Sequence, residues 1–433
     1  MNNLTTPPLF PKKHCSLKNV AFTGLFLIIC GTISAQNIKN ETIAYSYIKL
    51  PLQPLVLNEK NFVSSIFATF EEDNVIKKAA YGDELQKAEN EYQGEMALYP
   101  ARVKEAKDKY EKDLAEWNEK SLAEKVVEKQ VLNENNKPVE QVPYPPQKRY
   151  VPEPKLQTSY DYPVVSETYL NLGGYYRNNQ NAVNIVVTIH GYDYTEPRQM
   201  TEQKNVVSYV DGQSSTRAVT YYHVEFSYRH PMSVLVTDPQ GNTIMNSTPQ
   251  ELNTYRIYKS EESDKTLSIN TELLIKNYEE KIFQENLTFI NNIVNDQIGY
   301  PFTNRIAELN FVKVKDDSYQ DLMIAFNDAS AGLKLLKDDP ASAQNKLNNA
   351  LSIWNTALQE SDIQNKKARI DKDVTLAIYF NQLECYFAMR DVQSAENIIS
   401  KLNGFSLSNA ERKQKENFEL LFNDLKKRLT ANK

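Results

Sequence analysis

The chain has 433 residues, a formal net charge of −6 and 24% charged residues, a composition typical of a globular protein with about two or three domains. The acidic balance disfavours a general nucleic-acid-binding role, which requires a basic face. Glycine is rare, with 12 residues against 26 tyrosines, so the sequence offers few of the glycine-rich turns that bind phosphate groups.

Residues 1–35 are predicted to be a secretory signal peptide. Three lysines precede an apolar segment at residues 20–29, and the small Ala35 stands before Gln36. We expect cleavage after Ala35 and export to the periplasm or the periphery of the outer membrane. The apolar segment is too short for a stable membrane span, so none is expected after cleavage.

The cysteines agree with this prediction. Lipidation at Cys30 is disfavoured because the bulky Ile29 precedes it, where a small residue is usual. Cleavage would leave Cys385 as the only cysteine, so no internal disulfide is expected. Cys385 lies among Leu383 and Phe387, and we predict a packed core thiol.

A β domain is predicted over residues 36–265, and two strands begin it. The first, at residues 42–57, contains two prolines and is therefore expected at a sheet edge. The second, at residues 61–70, is rich in β-branched and aromatic residues, with a short helix as the alternative.

A long charged helix is predicted as an insertion in this domain, at about residues 82–130. From Leu85 to Trp117 apolar residues recur every three or four positions, which places them on one stripe of a helix. Pro100 interrupts the stripe, so the segment is either one kinked helix or a hairpin. It either packs on its own domain or forms a coiled-coil arm for self-association or for a partner. The proline-rich residues 133–155 are predicted to be a stiff, polyproline-like linker.

Antiparallel strands are predicted between residues 160 and 259. The strongest β-forming runs are residues 183–189, 218–228 and 233–237. Alternation of polar and apolar residues indicates a sheet with one buried and one wet face. The polar segment at residues 195–217 is expected to be a long, mobile loop.

An α-helical domain is predicted over residues 266–433. Helical periodicity appears at residues 271–294, 317–336, 341–360, 373–389, 392–402 and 409–429. An isolated strand is expected at residues 308–314, returning to the sheet. The fold class predicted is therefore α+β, with an antiparallel β domain, an inserted charged helix or hairpin, and a helical C-terminal domain.

The segment at residues 379–402 resembles a tetratricopeptide repeat. The spacing of large residues, turn and small residue in that repeat is matched by Tyr379, Leu383, Tyr386, Asp391, Ala395, Ile399 and Leu402. Arg390 departs from the usual turn glycine, and the repeats lack the usual period, so a generic helical bundle stays as the alternative. The layout also resembles that of uncharacterised envelope proteins of Bacteroidota-type bacteria, a resemblance that carries no activity.

The tetratricopeptide resemblance implies a partner-binding surface on the concave side of the helical domain. The residues expected on it are Trp354, Tyr379, Gln382 and Tyr386.

No catalytic residue, cofactor site or metal site is predicted. His190-Gly191 follows a strand and resembles the oxyanion loop of α/β-hydrolases, but the chain contains no G-x-S-x-G nucleophile motif. A zinc site would require His223 or His230 to converge with carboxylates such as Glu225, and strand geometry disfavours this.

Three functions follow from the sequence. The leading prediction is a non-enzymatic periplasmic or envelope scaffold or adaptor that binds another protein through its helical C-terminal domain. The alternative is glycan or peptidoglycan binding by aromatic residues of the β domain, where tyrosines such as Tyr176 and Tyr194 are dense. A hydrolase using His190 ranks third.

Overall fold

The computed structural model describes residues 37–130, 137–210, 213–313 and 317–433. The predicted signal peptide, including Cys30 and the cleavage position after Ala35, lies outside these residues. The chain combines many helices with antiparallel and mixed sheets, so the α+β class is confirmed. None of the described helices combines the length and the apolar composition that crossing a membrane requires.

Eleven strands and ten helices are described. The strands are β1 (Asn37–Ile48), β2 (Asn61–Ala68), β3 (Tyr176–Arg177), β4 (Ala182–Ile189), β5 (Asp193–Tyr194), β6 (Arg198–Val210), β7 (Gln213–Arg229), β8 (Met232–Thr237), β9 (Thr243–Ser247), β10 (Arg256–Lys259) and β11 (Phe302–Lys313). The helices are α1 (Glu71–Glu119), α2 (Leu122–Gln130), α3 (Tyr162–Tyr169), α4 (Gln250–Asn253), α5 (Thr271–Ile298), α6 (Gln320–Leu335), α7 (Pro340–Ala357), α8 (Lys372–Met389), α9 (Val392–Leu402) and α10 (Asn409–Ala431).

A five-stranded mixed sheet has the order β3-β2-β4-β8-β9. β2 runs parallel to both β3 and β4, whereas the β4–β8 and β8–β9 pairs are antiparallel. Parallel strands need a long crossover connection, and here α1 and α3 lie between β2 and β4 in the chain. The prediction of a purely antiparallel domain is therefore wrong for this sheet.

A second sheet contains β5, β6, β7 and β10. β6 pairs with β7 over its whole length, from Arg198 opposite Glu225 to Val210 opposite Gln213. The predicted mobile loop at residues 195–217 is thus largely a long β-hairpin. Residues 213–218 of β7 are all exposed, and the sequence of β6 does not alternate apolar and polar residues, so the usual signal of a strand is absent here.

α5 lies against both sheets. Its Phe283, Leu287 and Ile290 pack in the core of the five-stranded sheet, and Ile282 packs with Phe226 of β7 in the second core. The helix predicted to begin the helical domain therefore contributes its buried face to the β domain.

The helices α6–α10, called the tail below, form two antiparallel hairpins and a final helix. In the first hairpin a Cβ on Gly332 of α6 would lie only 2.9 Å from Leu347 Cγ of α7, so the two helices approach closely at this glycine. In the second, Arg390 ends α8 with a positive φ of 60° and the Asp391 side chain caps α9. Ser408 forms a capping box at the start of α10.

β1 and β11 form a separate two-stranded antiparallel sheet, called the ribbon below. They pair from Asn37 opposite Lys313 to Ile48 opposite Phe302. β11 thus pairs with β1 and not with a strand of the other two sheets. The expectation that an isolated strand at residues 308–314 returns to the sheet is therefore wrong. The ribbon shares a hydrophobic core with α6, α7 and α8.

α1 is one continuous helix of 49 residues with Pro100 inside it, so the hairpin alternative is wrong. It begins at Glu71, well before the predicted start near residue 82. Gly82 lies within the helix at an exposed position, where a glycine costs about 1 kcal/mol and does not end the helix. Only Asn74 and Ala88 of α1 are buried, so most of the helix lies outside the hydrophobic cores of the protein.

Candidate functional site

The helices α6 and α8 face the ribbon, which covers the side of the tail where a partner was expected. Ile43 of β1 and Leu309 of β11 are 1% and 0% exposed and pack in the same core as Trp354 of α7. The tail therefore already holds an extended pair of strands from its own chain.

Asn381 of α8 binds the backbone of β11 directly. Its side-chain oxygen accepts a hydrogen bond from the Asn310 backbone N–H at 2.7 Å, and its Nδ2 donates to the Asn310 carbonyl at 2.8 Å. The side chain is buried, so these bonds are shielded from water. The side-chain amide of Asn381 therefore makes, on the side of β11 away from β1, the two hydrogen bonds that a neighbouring strand would make with Asn310.

One turn further along α8, Glu384 forms the charged part of this contact. It accepts two hydrogen bonds from Arg305 of β11, at 2.6 and 2.8 Å, and one from the Tyr45 hydroxyl of β1 at 2.6 Å. Burial and then the charge of Glu384 raise the pKa of Tyr45 well above its usual value. Burial alone would lower the pKa of Arg305, but the bonds to Glu384 raise it instead. The network therefore joins both strands to α8, β11 through the ion pair of Arg305 and β1 through the hydrogen bond of the Tyr45 hydroxyl.

The four residues predicted to bind a partner do not form an exposed surface. Trp354 is 1% exposed and Gln382 0% exposed, Tyr379 is buried, and Tyr386 is half-buried. Gln382 donates to Asn355 at 2.9 Å, inside the tail. The predicted concave binding surface around these residues is therefore wrong, because neighbouring helices and the ribbon cover the corresponding faces of α7 and α8. α8 is apolar on nearly all sides, and this pattern is the signal that indicates a fully buried helix.

Cys385 lies on the same helix and is fully buried, as expected for a packed thiol. Burial raises its pKa far above the usual range, so the reactive thiolate is strongly disfavoured.

The proline-rich residues 137–155, called the return segment below, run back along α1 in the opposite direction. The return segment and α1 together are called the arm. The Tyr99 hydroxyl donates to the Pro143 carbonyl at 3.1 Å. Nearer the base of the arm, Lys148 forms an ion pair with Glu89 at 2.7 Å. The sequence predicted a spacer here and missed the contact, although aromatic residues at helical spacing opposite a polyproline-like segment were the available signal.

The base of the arm is fixed by a reciprocal pair of hydrogen bonds. Asn74 Nδ2 donates to the Gln157 carbonyl at 2.9 Å, and the Gln157 N–H donates to Asn74 Oδ1 at 3.1 Å. Asn74 is 2% exposed, so the entry and the exit of the arm are joined at a buried point.

One group in the described residues has the donor types of a metal site, namely Glu202, His223 and Glu262. Two ammonium groups already neutralise its carboxylates, because Lys204 lies 2.6 Å from Glu262 and Lys259 lies within 3.2 Å of both glutamates. The two hydrogen bonds from these lysines lower the pKa of Glu262 to about 2. A cation would have to displace both lysines, and the cluster is better described as a surface ion-pair network.

His190 and the tyrosines of the β domain also have structural roles. His190 Nε2 lies 2.9 Å from Ser233 Oγ. Tyr175, Tyr192 and Tyr228 are buried, and the last two pack in an aromatic core with Phe226. The more exposed tyrosines, among them Tyr176, Tyr194, Tyr209 and Tyr255, are distributed over different strands and loops.

The chain matches no family model, and neither a curated protein nor a solved structure gives a significant match.

Proposed function

We propose that the protein is an exported, non-enzymatic adaptor of the cell envelope that binds another protein along the arm. The arm takes the place of the tail as the binding element, because the ribbon already packs on α6, α7 and α8 and the expected partner-binding residues of the tail are largely buried. In this proposal the tetratricopeptide-like hairpins of the tail hold the ribbon in place, and the arm extends toward the partner.

The exposure of α1 is the observation that carries this proposal. A helix of 49 residues measures about 74 Å at about 1.5 Å per residue. An isolated helix gains stability by packing one face, and here the return segment supplies that packing. The length of the arm therefore adds few buried contacts to the rest of the protein, but it offers a binding partner an extended surface.

The return segment carries large aromatic side chains that are mostly exposed. Tyr144 is 96% exposed and Tyr150 is 81% exposed. Aromatic side chains on a stiff, preordered segment are favourable contacts for a protein partner, because little conformational entropy is lost on binding. A second copy of the chain is the other occupant to be considered, through self-association of two arms.

Photo-crosslinking tests the proposal. A photo-crosslinking amino acid is placed at Tyr144 and, as a matched control, at Tyr209 of β6, which is 77% exposed. We expect one abundant crosslinked protein from the native envelope at position 144 and none at position 209. A crosslink only to a second copy would establish self-association, and equal products at both positions would contradict the proposal.

A shortened arm provides the second test. Residues 92–147 are replaced by a short glycine-serine loop, which keeps the Glu89–Lys148 ion pair and the buried base at Asn74. The variant should fold but should lose the partner in affinity purification. Recovery of the partner in unchanged amount would rule out the arm as the binding element.

A further inference from the structure

A cleft of about 770 Å³ lies where the β domain meets the ribbon. Its walls are the loop at residues 171–175, the last turns of α5, and residues 300–304 with Lys49. The volume is within the range of about 300–1,000 Å³ that small-molecule sites occupy.

The walls of the cleft are fixed by buried amide groups. Asn295 accepts a hydrogen bond from the Gly173 N–H at 2.8 Å and donates to the Asn171 carbonyl at 2.6 Å. A Cβ on Gly173 would lie 2.5 Å from Pro301 Cα, so only glycine allows the loop to lie this close to the opposite wall. The cleft is thus preorganised.

Polar side chains that lack a hydrogen-bond partner among the described residues line the cleft. The side-chain amides of Asn171 and Asn292 are exposed and have no hydrogen-bond partner among the described residues. The Tyr175 hydroxyl is buried and also lacks a hydrogen-bond partner within the described residues. Each amide both donates and accepts, as a sugar hydroxyl group does.

An aromatic ring stands in the same cleft. Phe302, at the start of β11, is 55% exposed, and Lys337 lies 5.2 Å from its ring centroid. Exposed rings beside convergent polar groups suit ligands with both an apolar C–H face and hydroxyl groups.

The charges of the cleft are already paired. Lys49 forms an ion pair with Asp296 at 2.6 Å, and Arg428 binds the same carboxylate at 2.7 Å. Burial alone would raise the pKa of Asp296, but these two cations hold it below its usual value. Lys49 is the only cation among the residues that line the cleft, and Asp296 pairs it, whereas Lys60 and Lys337 beside the cleft lie over the rings of Tyr300 and Phe302.

We infer that this cleft binds a neutral saccharide of about two or three sugar units, with Asn171 and Asn292 bonding to its hydroxyl groups and Phe302 stacking on a ring. The inference goes beyond the proposed adaptor function and moves glycan binding from the tyrosines of the sheets to a different site.

Isothermal titration calorimetry on the full chain tests it. The probes are maltotriose, cellotriose, mannotriose and triacetylchitotriose, with a galacturonic acid trimer as the acidic comparison. We expect at least one neutral trisaccharide to bind and the acidic trimer to bind at least tenfold more weakly. Binding of no neutral probe, or equal binding of the acidic one, would overturn the inference.

Variants locate the site. Phe302→Ala and Asn292→Ala change exposed side chains and should each weaken binding by about tenfold. The matched controls are Ile306→Ala, a 69% exposed residue of the same strand outside the cleft, and Asn246→Ala on β9, and both should leave affinity unchanged. Binding that survives both cleft variants would place the sugar elsewhere. The shortened arm should keep sugar binding, which separates this test from that of the adaptor function.

Discussion

Replacing Asn381 by alanine tests whether the tail is built around the ribbon. The substitution removes the only side chain that bonds to both the N–H and the carbonyl of Asn310 in the described structure. Both hydrogen bonds are partly buried, and a backbone group left unpaired at such a position costs about 1–2 kcal/mol. Two such groups give an expected loss of about 2–4 kcal/mol in the free energy of unfolding of the tail.

Urea unfolding followed by tryptophan fluorescence measures this loss. Trp354 is 1% exposed in the core shared with the ribbon, and Trp117→Phe removes the second tryptophan, in the arm. Asn348→Ala is the matched control, because Asn348 is exposed on α7 without a side-chain hydrogen bond in the described residues, and its effect should stay below about 0.5 kcal/mol. An equally small effect of Asn381→Ala would refute the view that this amide holds the ribbon.

Three further outcomes follow from buried groups. Glu384→Gln leaves Arg305 without its carboxylate and should cost about 3 kcal/mol, measured in the same urea experiment. Burial and then the charge of Arg256 lower the pKa of His230 to about 4, below the unfolded value near 6.5, so stability should be complete above pH 6.5 and fall by about 3 kcal/mol as the pH drops through 4. His230→Gln should flatten this fall, and an unchanged pH profile would assign it to other groups. Cys385 should react with a thiol reagent at pH 8 only at the rate of unfolding, and rapid labelling of the folded protein would contradict its burial.

Local signals predicted the helical tail well. The helices predicted at residues 392–402 and 409–429 begin at Val392 and Asn409, directly after the capping residues Asp391 and Ser408. The strong strands also appear, because runs such as β4 are rich in β-branched residues. These features depend on neighbours in the sequence alone.

The missed features depend on contacts between distant segments. Nothing in the composition of β1 indicates that β11 is its partner. The same limit explains the wrong placement of Trp354 and Gln382, because periodicity shows which face of a helix is apolar but not which element covers it. The cleft of Asn171 and Asn292 was not predicted for the same reason, since each asparagine alone is typical of a loop or a helix surface.

The pairing of the ribbon also constrains the order of folding. Ser46 and Asn304 are bonded although they lie 258 positions apart in the sequence, so β1 must remain without its partner while the β domain and the arm are synthesised. Closing so long a loop is slow, and a strand that waits with both edges unpaired is open to incorrect pairing. The completion of the ribbon, and with it the core of α6, α7 and α8, is therefore expected to be the last and slowest step by which this protein reaches its native state.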